Sequence, residues 1–147
     1  MEWQSNVLES WDEIRPLLAG LRRIAVLGIR SEQFADRPAH AVPAALAVAG
    51  LEIVPVPVYE PGITQILGCS VYRSLAAIPG PIDLVDVFRL AVDIPRHLDD
   101  LLAKRPNAVW FQSGIRNDAA AEQLARAGIK VVQDRCLMVD YRRFQRG

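Results

Sequence analysis

Short apolar runs typical of strands alternate along this chain with segments whose apolar residues recur at helical spacing. The runs predict five strands, at residues 24–27, 51–58, 82–88, 108–111 and 129–132. Helical periodicity predicts helices at residues 5–18, 39–49, 93–104, 117–127 and 137–146. The intervening segment 66–80 predicts a short connection with one or two helical turns around 74–77. Nearly continuous apolar runs indicate strands buried on both faces, as in a parallel sheet.

Strands alternating with helices predict an α/β fold of three layers. We expect a Rossmann-like domain with a five-stranded parallel sheet flanked by helices. The chain has 147 residues, within the usual size of one domain. The prediction is therefore a single domain over residues 1–147, with residues 1–20 forming an N-terminal helix packed on it.

The charge balance and the cysteine content limit the possible function classes. Lysine and arginine total 17, as do aspartate and glutamate, so the net charge is zero. This favours neither nucleic acid nor a membrane surface as a partner. No apolar run is long enough to span a bilayer, and the N-terminus lacks the order of a signal peptide. We expect a cytoplasmic protein in which Cys69 and Cys136 are reduced thiols.

The end of the first predicted strand carries the chemistry that favours an anionic ligand. Ligands of open parallel sheets bind at the carboxyl ends of the strands. Gly28 stands there, where a missing side chain lets a phosphate approach, and the following helix offers free N–H groups. Arg30 and Arg37 lie in the intervening loop, and guanidinium groups suit phosphates. The alternatives are an ordinary turn glycine and arginines that are solvated or paired with carboxylates.

Polar residues also follow the later strands. Arg89 comes after the third, with Asp83 and Asp86 as competing ion-pair partners. Gln112 comes after the fourth, where its amide suits either a ligand or the loop backbone. Arg135 comes after the fifth, and a structural ion pair or backbone anchor is its favoured role. The strand ends together predict a binding edge.

The sequence lacks the residues that several common catalytic and binding chemistries require. The three-glycine dinucleotide pattern is missing, as is an acidic residue at the end of the second strand, which disfavours NAD. No nucleophile elbow or Walker loop occurs. Two histidines and two cysteines without zinc spacing predict no metal site. We predict no catalytic residue.

Seven blocks of sequence together resemble a known family. They are DRP (36–38), IVPV (53–56), ILG with VY and SL (66–75), DLVDVFR (83–89), VWFQSGIRN (109–117), AG (127–128) and VVQDRCLMVD (131–140). The chain resembles the small bacterial CoA-binding domain proteins, single-domain relatives of the CoA-binding domain of the succinyl-CoA synthetase alpha subunit. The resemblance implies a Rossmann-like domain that binds coenzyme A at the carboxyl edge of its sheet.

The resemblance also implies roles for particular residues. The phosphates and adenosine portion would be held by Gly28, Ile29, Arg30, Arg37 and Pro38. The adenine would be bordered by Val56 and Pro57, and the pantetheine arm would face Phe88, Arg89, Gln112, Gly114 and Ile115. The chain departs from the family pattern at Ile29–Arg30, where a small residue and a serine are usual, and at Pro57–Val58. It has no counterpart of the synthetase's phosphorylated histidine.

The predicted function is binding of CoA or an acyl-CoA without catalysis. The alternatives are an NAD(P)-binding enzyme or redox sensor, and a regulatory or scaffold protein with a vestigial pocket. The sequence identifies no protein partner. Cys136 is expected to be an inert buried thiol; the competing hypothesis is a mixed disulfide with the CoA thiol.

Overall fold

A computed structural model describes residues 2–147 of the chain. Its helices are α1 (Trp11–Ala19), α2 (Pro38–Val48), α3 (Leu98–Lys104), α4 (Asp118–Arg126) and α5 (Leu137–Gln145). Its strands are β1 (Arg23–Leu27), β2 (Glu52–Val56), β3 (Gln65–Ile66), β4 (Cys69–Ser70), β5 (Leu84–Val87), β6 (Ala108–Phe111) and β7 (Lys130–Val132). Three segments are 3₁₀-helical, Trp3–Asn6, Glu32–Phe34 and Ala91–His97.

The predicted five-stranded parallel sheet is confirmed. Its strand order is β2-β1-β5-β6-β7, and every neighbouring pair in it is parallel. The chain passes from β1 outward to β2, then returns to the other side of β1 to form β5. The strand order therefore reverses between β1 and β5, which is where open α/β sheets form their ligand crevice.

The sheet separates two apolar layers. Ile14 of α1, Leu46 of α2 and Leu137 of α5 pack on one face, whereas α3, α4 and the segment between β4 and β5 cover the other. Trp110 and Phe111 are fully buried in opposite layers, because successive strand residues point to opposite faces. Within residues 2–147, no helix is long and apolar enough to cross a membrane.

The prediction of one helix over residues 5–18 is wrong. Val7 instead forms a parallel bridge with Val131 of β7, and the Asn6 side chain donates to the Ala125 carbonyl at 2.9 Å. The helix begins only at Trp11, after a capping box in which Ser10 and Glu13 each accept from the other's backbone N–H. The N-terminal segment thus extends the sheet edge before α1 packs on the core.

Around residues 74–77, where one or two helical turns were predicted, a single hydrogen-bonded turn forms and no helix develops: the Ile78 N–H donates to the Leu75 carbonyl at 3.1 Å. The backbone N–H groups of Leu75 and Ala76, at the start of this turn, donate to the Asp100 carboxylate at 2.7 and 3.0 Å. The same connection contains the small antiparallel hairpin of β3 and β4, which the sequence pattern did not predict. The crossover from β2 to β5 therefore has no helix.

The helix predicted over residues 93–104 is divided. Its first part is the 3₁₀ segment Ala91–His97, which contains Pro95, and α3 begins at Leu98. Proline has no N–H to donate. Asp93 lies inside the 3₁₀ segment and faces Arg89.

Candidate functional site

A cavity of about 680 Å³ lies at the carboxyl ends of the strands, where the strand order reverses. Its walls come from five separate parts of the chain. The lining residues are Gly28, Arg30, Asp36, Arg37, Pro38, Ala39, Ala41, Val42, Tyr59, Phe88, Arg89, Leu90, Gln112, Ser113, Ile115, Cys136 and Met138. The volume falls in the range of small-molecule sites, about 300–1,000 Å³.

Gly28 ends β1 under a steric constraint from its neighbouring strand. Its φ is +89°, and a Cβ built on it would lie 2.3 Å from the Phe88 carbonyl oxygen. Its N–H donates to the Val56 carbonyl at 2.9 Å. Gly28 also lines the cavity. The close approach that demands a glycine here is therefore to the end of β5, in addition to any approach by a ligand.

Two arginines share one aromatic ring at the cavity mouth. The guanidinium carbons of Arg30 and Arg37 lie 3.9 and 4.7 Å from the centroid of the Phe34 ring, within cation–π distance. Arg37 is exposed and precedes α2, whose first turn has no side-chain cap. Both cations therefore stand beside an uncapped helix N-terminus, where the backbone also favours an anion.

Glu60 fastens the loop that carries Arg30. One carboxylate oxygen accepts from Arg30 Nε at 3.2 Å and from the Ser31 N–H at 3.0 Å, and the other accepts from the Ser31 hydroxyl. Burial raises the pKa of Glu60, but the Ser31 and Arg30 contacts outweigh it and hold the pKa below its ordinary value. Both oxygens of the ionised Glu60 carboxylate are thus used to hold this loop in place. Among residues 2–147, the Nη atoms of Arg30 have no hydrogen-bond partner.

Arg89 is buried at the cavity wall, with only 6% of its surface exposed. It donates to the Tyr59 hydroxyl at 3.0 Å and to His97 Nε2 at 3.1 Å, and Asp93 lies 3.8 Å away. Burial lowers the pKa of His97, and the Arg89 charge lowers it further, so the ring is suited to accept this hydrogen bond. Arg89 is therefore fixed before any ligand binds.

The expected competitors for Arg89 have other partners. Asp83 accepts from the backbone N–H groups of Arg22 and Arg23, at 3.0 and 2.9 Å. Asp86 faces Gln112 instead. The alternative in which Asp83 or Asp86 pairs with Arg89 does not hold, because Asp83 binds backbone N–H groups at the start of β1 and Asp86 is buried beside Gln112.

Gln112 forms part of the cavity floor and connects β6 with α5. Its Oε1 accepts from the Leu137 N–H at 3.1 Å, and its Nε2 donates to Asp86 Oδ2 at 3.4 Å. Asp86 is fully buried, and its Oδ1 has no hydrogen-bond partner within residues 2–147. Burial raises the pKa of Asp86 well above the usual aspartate range.

We expect Asp86→Asn to become more stable relative to the wild type as the pH rises. A carboxyl whose folded-state pKa is raised holds its proton more tightly when folded. The wild type therefore loses stability above the unfolded-state pKa of about 3.9. Asparagine keeps the acceptor and has no proton to lose. Urea unfolding at several values between pH 5 and 8 measures this difference, which grows by at most about 1.4 kcal/mol per pH unit. A difference in unfolding free energy between the variant and the wild type that stays constant with pH would contradict the expectation.

The cavity brings together most of the residues predicted for the site. They are Gly28, Arg30, Arg37, Pro38, Phe88, Arg89, Gln112 and Ile115. Ile29 is instead fully buried in the apolar layer under α1, α2 and α5. Val56 and Pro57 line a second cavity, of about 440 Å³, together with His97. Gly114 does not line the cavity, although Ser113 and Ile115 on either side of it do, and its N–H donates to Asp134 Oδ1 at 2.6 Å. The ligand roles of all twelve stay predictions.

Other lining residues were not among the predicted ones. Tyr59 is half exposed, and its ring centroid lies 5.1 Å from the Arg30 guanidinium carbon, so it spans Arg30 and Arg89. Cys136 and Met138 line the wall formed by α5, and Cys136 is half-buried. The position of Tyr59 just after β2 is the one sequence signal that points to it.

The ion pair expected for Arg135 is present. Its Nε lies 2.6 Å from Asp140 Oδ2. The Arg135 carbonyl accepts from the indole N–H of Trp110 at 2.7 Å. Arg135 therefore fastens the start of α5 beside the cavity. Within residues 2–147, no group of histidine, cysteine and acidic residues is arranged to hold a metal ion.

A parallel Rossmann-like sheet with arginines, an uncapped helix and a cavity at its switch point is the arrangement typical of nucleotide-binding α/β domains. The particular family follows from sequence. The model described as "CoA binding domain" matches residues 22–142, so the chain belongs to the CoA-binding domain family.

The chain is also similar to other proteins of known sequence or structure. The protein YneT of Bacillus subtilis (strain 168) is 37% identical over 127 residues, which cover 86% of this chain and 90% of YneT. The solved structure of cell-free ID.343 from Thermus thermophilus has a TM-score of 0.83 and 39% identity, covering 92% of this chain and 99% of that one. A dinucleotide-forming acetyl-coenzyme A synthetase from Ca. Korarchaeum cryptofilum shares the fold alone. Its TM-score is 0.60 at 18% identity, covering 74% of this chain and 25% of the synthetase.

Proposed function

We propose that this protein binds coenzyme A or an acyl-CoA in the 680 Å³ cavity, as a cytoplasmic protein with no catalysis of its own. The observation that carries the proposal is the composition of the cavity. Arg30 and Arg37 stand beside an uncapped helix N-terminus at one side, and apolar side chains together with the buried Gln112 amide stand at the other. Membership of the CoA-binding domain family supports the same ligand.

The cationic side fits the phosphates of CoA. Arg37 is exposed, and Arg30 keeps its Nη atoms available while Glu60 holds its Nε. A guanidinium can bind a phosphate with two parallel hydrogen bonds. With zero net charge on the chain, these local groups supply the attraction for the anion.

The apolar side fits the pantetheine arm. Phe88, Ile115 and Met138 offer apolar surface there, and Gln112 offers an amide. The arm combines methyl and methylene groups with two secondary amides, so it matches a wall that combines apolar side chains with polar groups such as the Gln112 amide. An acyl group on the thiol would extend the same apolar contact.

The histidines support a binding role without catalysis. His97 accepts from Arg89, and His40 Nδ1 lies 3.0 Å from the Arg30 carbonyl oxygen. Within residues 2–147, neither ring is hydrogen-bonded to a serine or cysteine, as an activated nucleophile requires. Both histidines hold the arginine-bearing segments in place.

Glu60 argues against the NAD(P) alternative. Dinucleotide-binding domains bind the ribose hydroxyls with an acidic residue at the end of the second strand, and the first acidic residue after β2 here, Glu60, lies four residues beyond its end. Here both carboxylate oxygens are occupied by Arg30 and Ser31. A ribose would have to displace these contacts, which favours CoA over NAD.

Calorimetric titration of the nucleotide-stripped protein with CoA, acetyl-CoA, NAD and NADP tests the proposal. We expect saturable binding of CoA or acetyl-CoA, with NAD and NADP at least tenfold weaker. Preferential NAD or NADP binding would overturn the proposal in favour of the dinucleotide alternative. No detectable binding of any of the four ligands would overturn it in favour of a regulatory or scaffold protein with a vestigial pocket.

A further inference from the structure

Asp86 is a buried carboxyl directly behind the cavity floor. It lies in the middle of β5, with Val26 of β1 and Trp110 of β6 opposite it in the sheet. Its side chain is fully buried and forms no part of the cavity wall. A buried carboxyl in a central strand is costly. Within residues 2–147, its one side-chain hydrogen bond is with Gln112, a residue that does line the cavity.

The orientation of the Gln112 amide is determined by its two neighbours. The Leu137 backbone N–H can only donate, so it must face the amide oxygen, at 3.1 Å. The amide nitrogen then faces Asp86 Oδ2, at 3.4 Å, and needs an acceptor there. Asp86 supplies that acceptor. Without it, the amide nitrogen would lose its only protein partner within residues 2–147.

Held in this way, Gln112 keeps one N–H and one oxygen lone pair unused. An amide nitrogen carries two hydrogens and an amide oxygen accepts two hydrogen bonds, and one of each is already taken. A secondary amide of a ligand offers one carbonyl oxygen and one N–H, the matching set. The nucleotide half of CoA has no such amide, whereas the pantetheine arm has two.

We propose that Asp86 is a positioning residue that holds Gln112 so that its amide recognises a secondary amide of the pantetheine arm. This inference rests on the proposed function. It names the pantetheine arm as the part of the ligand that Gln112, in the cavity floor, recognises. Asp86 acts through Gln112 and does not touch the ligand. Its replacement should therefore affect the arm and leave the nucleotide half alone.

Two Asp86 variants and two ligands test this role. Asp86→Val removes the acceptor with an apolar side chain suited to a strand, and Asp86→Asn keeps a carbonyl acceptor. Each is titrated with CoA and with 3′-phospho-ADP, the nucleotide half without the arm. We expect Asp86→Val to weaken CoA binding about tenfold, the scale of one hydrogen bond, with 3′-phospho-ADP unchanged within twofold. Asp86→Asn should bind CoA within about threefold of the wild type.

A double-variant cycle provides the control for an indirect effect. In a Gln112→Leu background, adding Asp86→Val should cause no further loss of CoA affinity, since the residue through which Asp86 acts is gone. Thermal unfolding shows that each variant is folded, and if Asp86→Val does not fold, Asp86→Asn and Gln112→Leu carry the ligand comparison. Equal losses for both ligands, additive losses in the cycle, or a tenfold loss in Asp86→Asn would overturn the role. A wild type that does not bind CoA would instead refute the proposed function itself.

Discussion

Replacing Gly28 with alanine is expected to lower the free energy of unfolding by about 2–5 kcal/mol. The backbone there has a φ of +89°, which strains any L side chain. The added Cβ would lie 2.3 Å from the Phe88 carbonyl oxygen, a backbone atom that can move only if β5 moves with it. Urea unfolding monitored by circular dichroism measures the loss.

Gly128 provides a matched control for the Gly28 variant. Its φ is +86°, but a Cβ there would meet no atom within 4 Å. Gly128→Ala should therefore cost only the conformational strain, about 1–2 kcal/mol. Equal losses at the two positions would show that the contact with Phe88 has no energetic weight, and that Gly28 is an ordinary turn glycine.

Replacing Arg37 with alanine is expected to weaken CoA binding by about 1–3 kcal/mol, the scale of a hydrogen bond to a charged group. Arg37 is exposed and forms no ion pair among residues 2–147, so its replacement removes only the contact with the Phe34 ring and should change stability little. Titration calorimetry at several salt concentrations should also show a shallower salt dependence for the variant, because one charged contact is gone.

Two variants make this result interpretable. Arg126→Ala removes an equal charge from α4, on the other face of the sheet, and should leave affinity unchanged. Arg30→Ala should lose as much affinity as Arg37→Ala, and it should also lose some stability because Arg30 pairs with Glu60. Unchanged affinity in both the Arg30 and the Arg37 variants would remove the phosphate assignment.

The fold was largely predictable because its strands are buried on both faces. A strand such as β6, Ala108–Phe111, can be recognised from its apolar residues alone, and its bounds were predicted correctly. The errors occurred where distant partners decide the backbone. The Asp100 carboxylate accepts hydrogen bonds from two backbone N–H groups of the crossover between β2 and β5, and Val7 pairs with Val131 at the far end of the chain. The capping box at Ser10 was a local signal that could have corrected the N-terminal helix.

The site was predictable to the extent that strand ends meet at one edge. This rule correctly predicted that Gly28, Phe88 and Gln112 lie close to one another, and all three line the same cavity. It was less accurate for the second strand, predicted over residues 51–58, because β2 ends at Val56 and Pro57 faces the neighbouring cavity. The contacts of Tyr59 with two arginines depend on how the crossover folds back, which local periodicity does not encode.

The five-part wall of the cavity couples ligand binding to the folding of the whole domain. Its pieces come from the β1–α2 segment, Tyr59, the end of β5, the end of β6 and the start of α5. No single stretch of sequence retains the site when the others separate, so the unfolded chain has none of it. A ligand of this cavity therefore acts thermodynamically as a stabiliser of the native state, by RT ln(1 + [L]/Kd). The abundance of the folded protein in a cell would consequently follow the concentration of its ligand.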